Sequence, residues 1–449
     1  MEKVNQKLGS SWKKRLILIL AVCFLSTNAH AALTTISDEE SEQLLQSLVE
    51  PIFKAAGINF NRNKVFIVED DSLNAFVSDG NNLFINSEVI IKAANADEIR
   101  GVAAHEVGHI MGGHILRQKL KMKELQNISL ASMAVAGALG AASGRGDVAA
   151  AVMFGSQGSL INQSLAYQVE EERSADEAAV KLLNKTGHSP TGLMNFMKKI
   201  QAQNRLQGIS EDGYFRTHPM SGERVAFLRQ AAQNSPNKPV VGADEQLKRV
   251  QAKLFAFIKS PERTYTKYPS SDNSVAAQYA RAIAAYKAIR FDKALSLIDG
   301  LIAKEPNNPH FRELKGQILL EQGKIAAAQK EFAKASSLMP KSALFKINEA
   351  QAALENNPTP KEIKQIIAQL QKAINERPTL ISWLLLARAY ELNGQTAEAQ
   401  YTAAEYSLRT GDFKLAQKQA ETAKRNSLDP TLTLKIDDLL RRVKDLSRR

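Results

Sequence analysis

Cysteine is almost absent from this chain, since Cys23 is the only one in 449 residues. It lies in an apolar run, Leu16–Leu25, that follows three basic residues at 13–15 and precedes an A-x-A cleavage site at 29–31. The run is short for a membrane span, so residues 1–31 are predicted to be a cleaved signal peptide, with an uncleaved anchor as the alternative. The mature chain then has no disulfides, which suits export to a bacterial periplasm.

Aromatic residues are also scarce, at 6% of the chain, and no basic cluster is interleaved with them. We therefore do not expect nucleic-acid binding, although the net charge is +12. An excess of basic over acidic residues is typical of a solvated helical surface. It is also compatible with binding to anionic membrane surfaces or acidic partners. The 44% hydrophobic content excludes a disordered chain, and the length predicts two or three domains.

The first part of the mature chain predicts a helix near Ser37–Ala56 followed by a small sheet. Lys64–Glu69 and Asn82–Asn86 are rich in β-forming residues, with turn residues at 79–81 between them. The strand near Leu83–Asn86 is a candidate sheet edge for binding an extended peptide, and an ordinary core strand is the equal alternative.

The sequence HEVGH follows on a helix that Asn95 or Asp97 can cap. His105 and His109 are four residues apart, so they project from nearly one face of the helix and can bind one metal ion. Glu106 lies beside them as a candidate general base, since zinc lowers the pKa of its bound water to about 7. The motif predicts a zinc-dependent hydrolase.

A third ligand is expected on a second helix, which ends near Thr186 because Gly187 follows. Glu172 is the candidate, and Asp176, one turn later on the same face, would orient a ligand histidine. Two alternatives remain. Glu171 is the substitute ligand, and the three glutamates at 170–172 could instead form a solvated helix face.

HEVGH, EERSAD at 171–176 and NAFVSDGNNLFIN at 74–86 together resemble the membrane-associated gluzincin metallopeptidases related to HtpX and the CAAX prenyl protease. The resemblance covers about Ser37–Gln230. It implies one zinc ion per subunit, bound by His105, His109 and Glu172, with Glu106 as the catalytic base.

The same resemblance extends to Thr217-His218-Pro219 and Glu223-Arg224. It implies that His218 is a fourth, regulatory zinc ligand that must be displaced for activity. Without the family, His218 is equally a loop histidine or a donor that stabilises an oxyanion. His114 and His188 are predicted to be structural, and His114, five residues after His109, should point well away from the ligand face.

Ile128–Val169 differs from the family, whose relatives have clear transmembrane helices. It has only two charged residues, Arg145 and Asp147, and is rich in alanine, serine and glycine. We predict a helical hairpin buried against protein, and contact with a membrane is the alternative.

Beyond the linker-like Asn234–Gly242 the sequence repeats. Ala294 and Ala328 are 34 residues apart, as are Pro306 and Pro340, which is the period of tetratricopeptide repeats. Such repeats are paired helices that present surfaces to other proteins.

These observations predict a mainly α protein with a small β-sheet. The expected parts are a signal peptide at 1–31, an α+β zinc-metallopeptidase domain at 32–233, a linker and connecting helix at 234–270, and an all-α repeat solenoid at 271–449. The predicted function is periplasmic endoproteolysis. By the resemblance, the substrates and partners are unfolded or stalled outer-membrane β-barrel proteins and their assembly machinery. A non-proteolytic repeat scaffold or chaperone with a silent or structural metal site is the alternative.

Overall fold

The computed structural model describes residues 33–121, 123–124, 127, 168–207, 218–219 and 221–448. The described residues from 36 onward form one compact unit. The predicted signal peptide and nearly all of the predicted hairpin at 128–169 lie outside the described residues. Among the helices that the structure describes, none combines the length and the apolar character that crossing a bilayer requires.

The N-terminal part begins with a helix and a small mixed sheet, which confirms the predicted fold class. Its elements are α1 (Glu39–Ala55), β1 (Thr35–Ile36), β2 (Val65–Val68), β3 (Ala75–Ser78) and β4 (Asn82–Asn86). The strand order is β1-β2-β4-β3, with β2 parallel and β3 antiparallel to β4. Of the two interpretations of Leu83–Asn86, the sheet edge is wrong and the ordinary core strand is confirmed, because β4 is an inner strand. The two edges are β1 and β3, and the sequence did not predict β3.

Helices cover the sheet and complete this part of the chain. They are α2 (Ser87–Lys92), α3 (Ala96–Gly112), α4 (114–121), α5 (described over 168–185), α6 (Thr191–Gln207) and α7 (Gly222–Gln233). Asn95 caps α3 by accepting a hydrogen bond from the backbone N–H of Glu98, as one of the two predicted caps. Gly113 ends α3 in the left-handed conformation, with φ of 64°, so α4 starts in a new direction.

One hydrophobic core joins these elements. It contains Leu48 and Ile52 of α1, Ile85 of β4, and Val102 and Val107 of α3, all of them nearly or fully buried. The HEVGH sequence therefore lies on a helix whose other face is fixed in the core.

The rest of the chain is a series of paired helices. They are α8 (Glu245–Ile258), α9 (Pro261–Lys267), α10 (Val275–Lys287), α11 (Phe291–Lys304), α12 (Pro309–Glu321), α13 (Ile325–Leu338), α14 (Ala343–Glu355), α15 (Pro360–Glu376), α16 (Leu380–Leu392), α17 (Thr396–Arg409), α18 (Phe413–Asn426) and α19 (Pro430–Leu446). From α10 onward each helix packs against the next, and the repeat residue Ala328 is buried between them together with Phe311 and Phe332. The all-α tetratricopeptide-type solenoid is confirmed.

Helix α8 connects the two parts and belongs to both. Leu247, Val250 and Leu254 join the core of the N-terminal part, whereas Ala252 and Ala256 join the first core of the repeats. The predicted connecting helix is therefore a shared packing element.

A second connection is ionic. We call Asp38, Glu39, Glu40 and Glu42, at the start of α1, the acidic turn. Within it, Glu39 accepts a hydrogen bond of 2.7 Å from the Ser342 hydroxyl. Arg249 lies 3.0 Å from Glu40, and Arg377 pairs with Glu42. The start of the first helix is thus bound by cationic and polar side chains of α8 and of the repeats.

Candidate metal centre

Two helices bring the predicted ligands together. The Nε2 atoms of His105 and His109, on α3, are 3.1 Å apart. Glu172, on α5, places Oε2 at 3.2 Å from His105 Nε2 and Oε1 at 3.2 Å from His109 Nε2. All three side chains are buried.

His218 completes the group. Its Nδ1 lies 3.3 Å from His105 Nε2 and 3.0 Å from Glu172 Oε1. One donor atom from each of the four residues lies within 4.8 Å of all the others. Zinc ligands bound at about 2.0–2.1 Å in a tetrahedron are about 3.3 Å apart, so the spacing and the N/O donor set both fit that geometry. These residues form a buried His/Glu site suited to a metal ion.

Electrostatics at this site favour a cation. Burial alone would raise the pKa of Glu172, but His218 and the contacts with His105 and His109 outweigh it and hold the pKa well below its usual range. An ionised carboxylate among imidazole nitrogens is a donor set that binds divalent transition metals.

Asp176 contacts the ring nitrogen of His105 that does not face the other donors. Its Oδ1 lies 2.9 Å from His105 Nδ1, the ring nitrogen that faces away from the centre. Burial works against its ionisation, but contacts with His105 and Arg224 keep the pKa of Asp176 below the usual value. A carboxylate at this atom fixes the tautomer that leaves Nε2 free to bind metal.

Glu106 lies on the same helix and is fully buried beside the four donors. Its Oε1 is 3.5 Å from His218 Nε2. Burial raises the pKa of Glu106 above the usual value, although His218 and His105 partly offset this. A carboxylate with a raised pKa is a better proton acceptor at neutral pH, as general-base catalysis needs.

The predicted orientation of His114 was wrong, although this residue is not one of the four donors. Its Nδ1 lies 2.8 Å from His109 Nδ1, and the ring is buried directly behind a candidate ligand. The prediction assumed a continuous helix, whereas the break at Gly113 turns His114 back toward His109. The Gly112-Gly113 pair was the signal for that break. Burial, followed by Arg117, lowers the pKa of His114 to about 4, so its neutral ring can accept the Nδ1 proton of His109.

The remaining candidates lie outside the centre. Glu171 is buried but binds Gln118 at 3.0 Å, so the structure places Glu172, and not this substitute, beside the histidines. Glu170 is exposed, so only this member of the glutamate run lies on a solvated face. His188 contacts Asp97 at 3.3 Å.

Comparison with known families agrees with this geometry. Residues 39–232 match the profile of peptidase family M48, a range that includes all four donors and Glu106. We call this range, which matches the M48 peptidases, the M48 domain.

Known relatives share the M48 domain and more of the chain. The chain is 26% identical over 339 residues to the Beta-barrel assembly-enhancing protease of Yersinia pestis, covering 73% of this chain and 68% of the relative. The protein of that name in Escherichia coli K12 is 26% identical over 354 residues, covering 76% and 70%. Metalloprotease YcaL of the same strain is 30% identical over 184 residues, 40% of this chain and 66% of the relative. The chain is therefore similar to known proteases over as much as 76% of its length.

The solved structures that align with this chain have lower sequence identity to it than these relatives, and their TM-scores are low. Yeast Tom70 aligns with 91% of this chain and 73% of its own at 13% identity and a TM-score of 0.29. A thermophilic TPR protein of Thermus thermophilus aligns with 35% of this chain and 95% of its own at 18% identity and a TM-score of 0.24.

Proposed function

We propose that this protein is a zinc-dependent endopeptidase of the periplasm that degrades misfolded or misassembled outer-membrane β-barrel proteins. The observation that carries the proposal is Glu106, a fully buried carboxylate beside two imidazoles and Glu172. A buried, raised-pKa carboxylate is costly in a merely structural site, and it suits a general base.

In this proposal His105, His109 and Glu172 hold one zinc ion. When bound, zinc supplies Lewis acidity, which acidifies water and polarises a peptide carbonyl. Glu106 takes the proton from the attacking water and later gives it to the leaving amine. Asp176, at Nδ1 of His105, and His114, at Nδ1 of His109, keep the two ligand imidazoles in the required tautomers.

The substrate and partner proposals rest on the chain's organisation and on its relatives. Two of these relatives are named for enhancing β-barrel assembly. We infer that the repeats dock unfolded or stalled outer-membrane proteins, or their assembly machinery, and so bring substrate to the M48 domain. The predicted signal peptide supports a periplasmic location, and residues 128–169 remain the candidate for contact with a membrane.

The first test is Glu106→Gln in the purified mature protein, with an unfolded β-barrel protein as substrate. We expect cleavage to fall by about 10²-fold or more because the base is lost, while bound zinc stays at one per chain. Glu170→Gln, an exposed glutamate on α5, is the matched control and should cleave normally. Equal cleavage by Glu106→Gln and the parent would remove the endopeptidase proposal.

His218 determines whether the site is open. Its Nδ1 takes the fourth donor position, where water or substrate would have to enter. We expect His218→Ala to retain its zinc and to cleave faster. If the site of the parent protein is open about one-tenth of the time, the rate can rise by up to about tenfold. The rate and the zinc content are measured together. Unchanged or lost cleavage with full zinc would contradict this autoinhibitory role.

The position of His218 as a fourth donor also supports a second candidate function. A site with four protein donors is typical of structural zinc, so the chain could be a repeat scaffold or chaperone whose metal site is silent. This candidate predicts that neither Glu106→Gln nor His218→Ala changes activity in a refolding assay with the unfolded barrel.

A further inference from the structure

A single guanidinium connects three parts of the metal centre. Arg224, near the start of α7, is only 2% exposed. Its Nε and Nη2 lie 2.7 and 3.1 Å from the two carboxylate oxygens of Asp176. Its Nη1 lies 3.0 Å from Oε2 of Glu172. One side chain therefore contacts both a candidate metal ligand and the carboxylate that orients another.

The same Nη1 also donates a 2.6 Å hydrogen bond to the backbone carbonyl of Pro219. Pro219 directly follows His218, so this bond holds the backbone one residue after the fourth donor. The guanidinium is planar and its donors are fixed in direction, so it can hold Asp176, Glu172 and Pro219 in one arrangement. A lysine ammonium keeps the charge but cannot reproduce this geometry.

We propose that Arg224 is the positioning residue that holds His218 over the metal centre. This inference rests on the proposed function only in taking His218 as a zinc ligand. Displacing His218 moves Pro219, which breaks a bond to a buried guanidinium that Asp176 and Glu172 hold in place. Arg224 thus acts through His218, and its loss frees the fourth position.

The test is a double-mutant cycle in zinc affinity. Arg224→Lys, His218→Ala and the double variant are compared by chelator competition, all in the Glu106→Gln background so that the result is independent of cleavage. We expect Arg224→Lys to weaken zinc binding about tenfold when His218 is present. The loss should be at least about threefold smaller when His218 is already alanine, because the two residues then act as one unit.

The matched control is Arg229→Lys, an exposed arginine of the same helix, which should leave zinc affinity unchanged. If Arg224→Lys weakens zinc binding by nearly the same factor in both backgrounds, Arg224 acts through Glu172 and Asp176 alone and the proposal fails. It also fails if His218→Ala leaves zinc affinity unchanged. Circular dichroism of each metal-free variant checks folding, and Arg224→Gln replaces the lysine variant if that variant is unfolded.

Discussion

At the scale of single residues, the charges around Lys253 are out of balance. This buried ammonium pairs with Asp38 and lies 3.7 Å from both Glu40 and Glu313. Three carboxylates face Lys253, of which Glu40 also pairs with Arg249, and desolvation is strong there. Burial accordingly raises the pKa of Glu313 to about 7, although Lys253 acts in the opposite direction.

We predict that Glu313→Gln stabilises the protein at pH 8 and has little effect at pH 4. The folded state holds a proton on Glu313 up to about pH 7, whereas the unfolded chain releases it near its ordinary value of 4.5. The parent therefore loses stability as pH rises between these values, and glutamine removes that loss, by about 1 to 2 kcal/mol.

Urea unfolding of the metal-free protein at both pH values measures this effect. Glu421→Gln, an exposed glutamate of α18, is the control and should have the pH dependence of the parent. A Glu313→Gln variant that is no more stable than the parent at pH 8 would contradict the charge imbalance.

Sequence spacing selected His105 and His109 and gave Glu172 as the leading third candidate, whereas His218, the fourth donor that the structure brings to them, was indicated only by the family resemblance. The helical period places His105 and His109 on one face, and the same period relates Glu172 to Asp176. Arg224 and His114 were not assigned these roles, because their contacts depend on where α7 lies and on the break at Gly113. Those are tertiary features that no local pattern contains.

At the scale of elements, the centre depends on how closely α3 and α5 approach. A Cβ atom on Gly108 would lie 2.7 Å from the backbone oxygen of Ala175, which is too close for any side chain. Ala175 lies between Glu172 and Asp176 in sequence, so the contact between these helices sets the distance from both carboxylates to the histidines.

We predict that Gly108→Ala pushes the helices apart, lowers stability by about 1–3 kcal/mol and weakens zinc binding at least about tenfold. Thermal unfolding and chelator competition measure the two effects. Gly300→Ala is the control, since a Cβ there meets no atom within 4 Å, and alanine should be neutral or slightly stabilising in α11. Normal zinc affinity in Gly108→Ala would show that the close approach is not required.

Local patterns predicted β2 and β4 because both are rich in branched and aromatic residues. They did not predict β3, a four-residue strand held by its antiparallel pairing with β4. Local patterns also could not give the order of the strands in the sheet, because that order depends on contacts between segments that are distant in sequence. For this reason the sequence could not decide whether Leu83–Asn86 is an edge strand or an inner strand.

At the scale of the whole molecule, the repeat period predicted the solenoid but not its position against the M48 domain. The predicted connection at 234–270 was expected to separate two bodies, and α8 instead contributes to the cores of both. Repeats bound in this way are held at a fixed place relative to the metal centre, which suits the proposed delivery of substrate.

The acidic turn also has a consequence for the order in which the chain can be assembled. Glu39 and Ser342 are 303 positions apart, and Glu42 and Arg377 are 335 apart. During synthesis the first helix is made long before Ser342 and Arg377, whereas Arg62, which lies 3.0 Å from Glu39, follows only 23 positions later. The acidic turn can therefore gain a cationic partner early, and its contacts with the repeats form only after the repeats have been made.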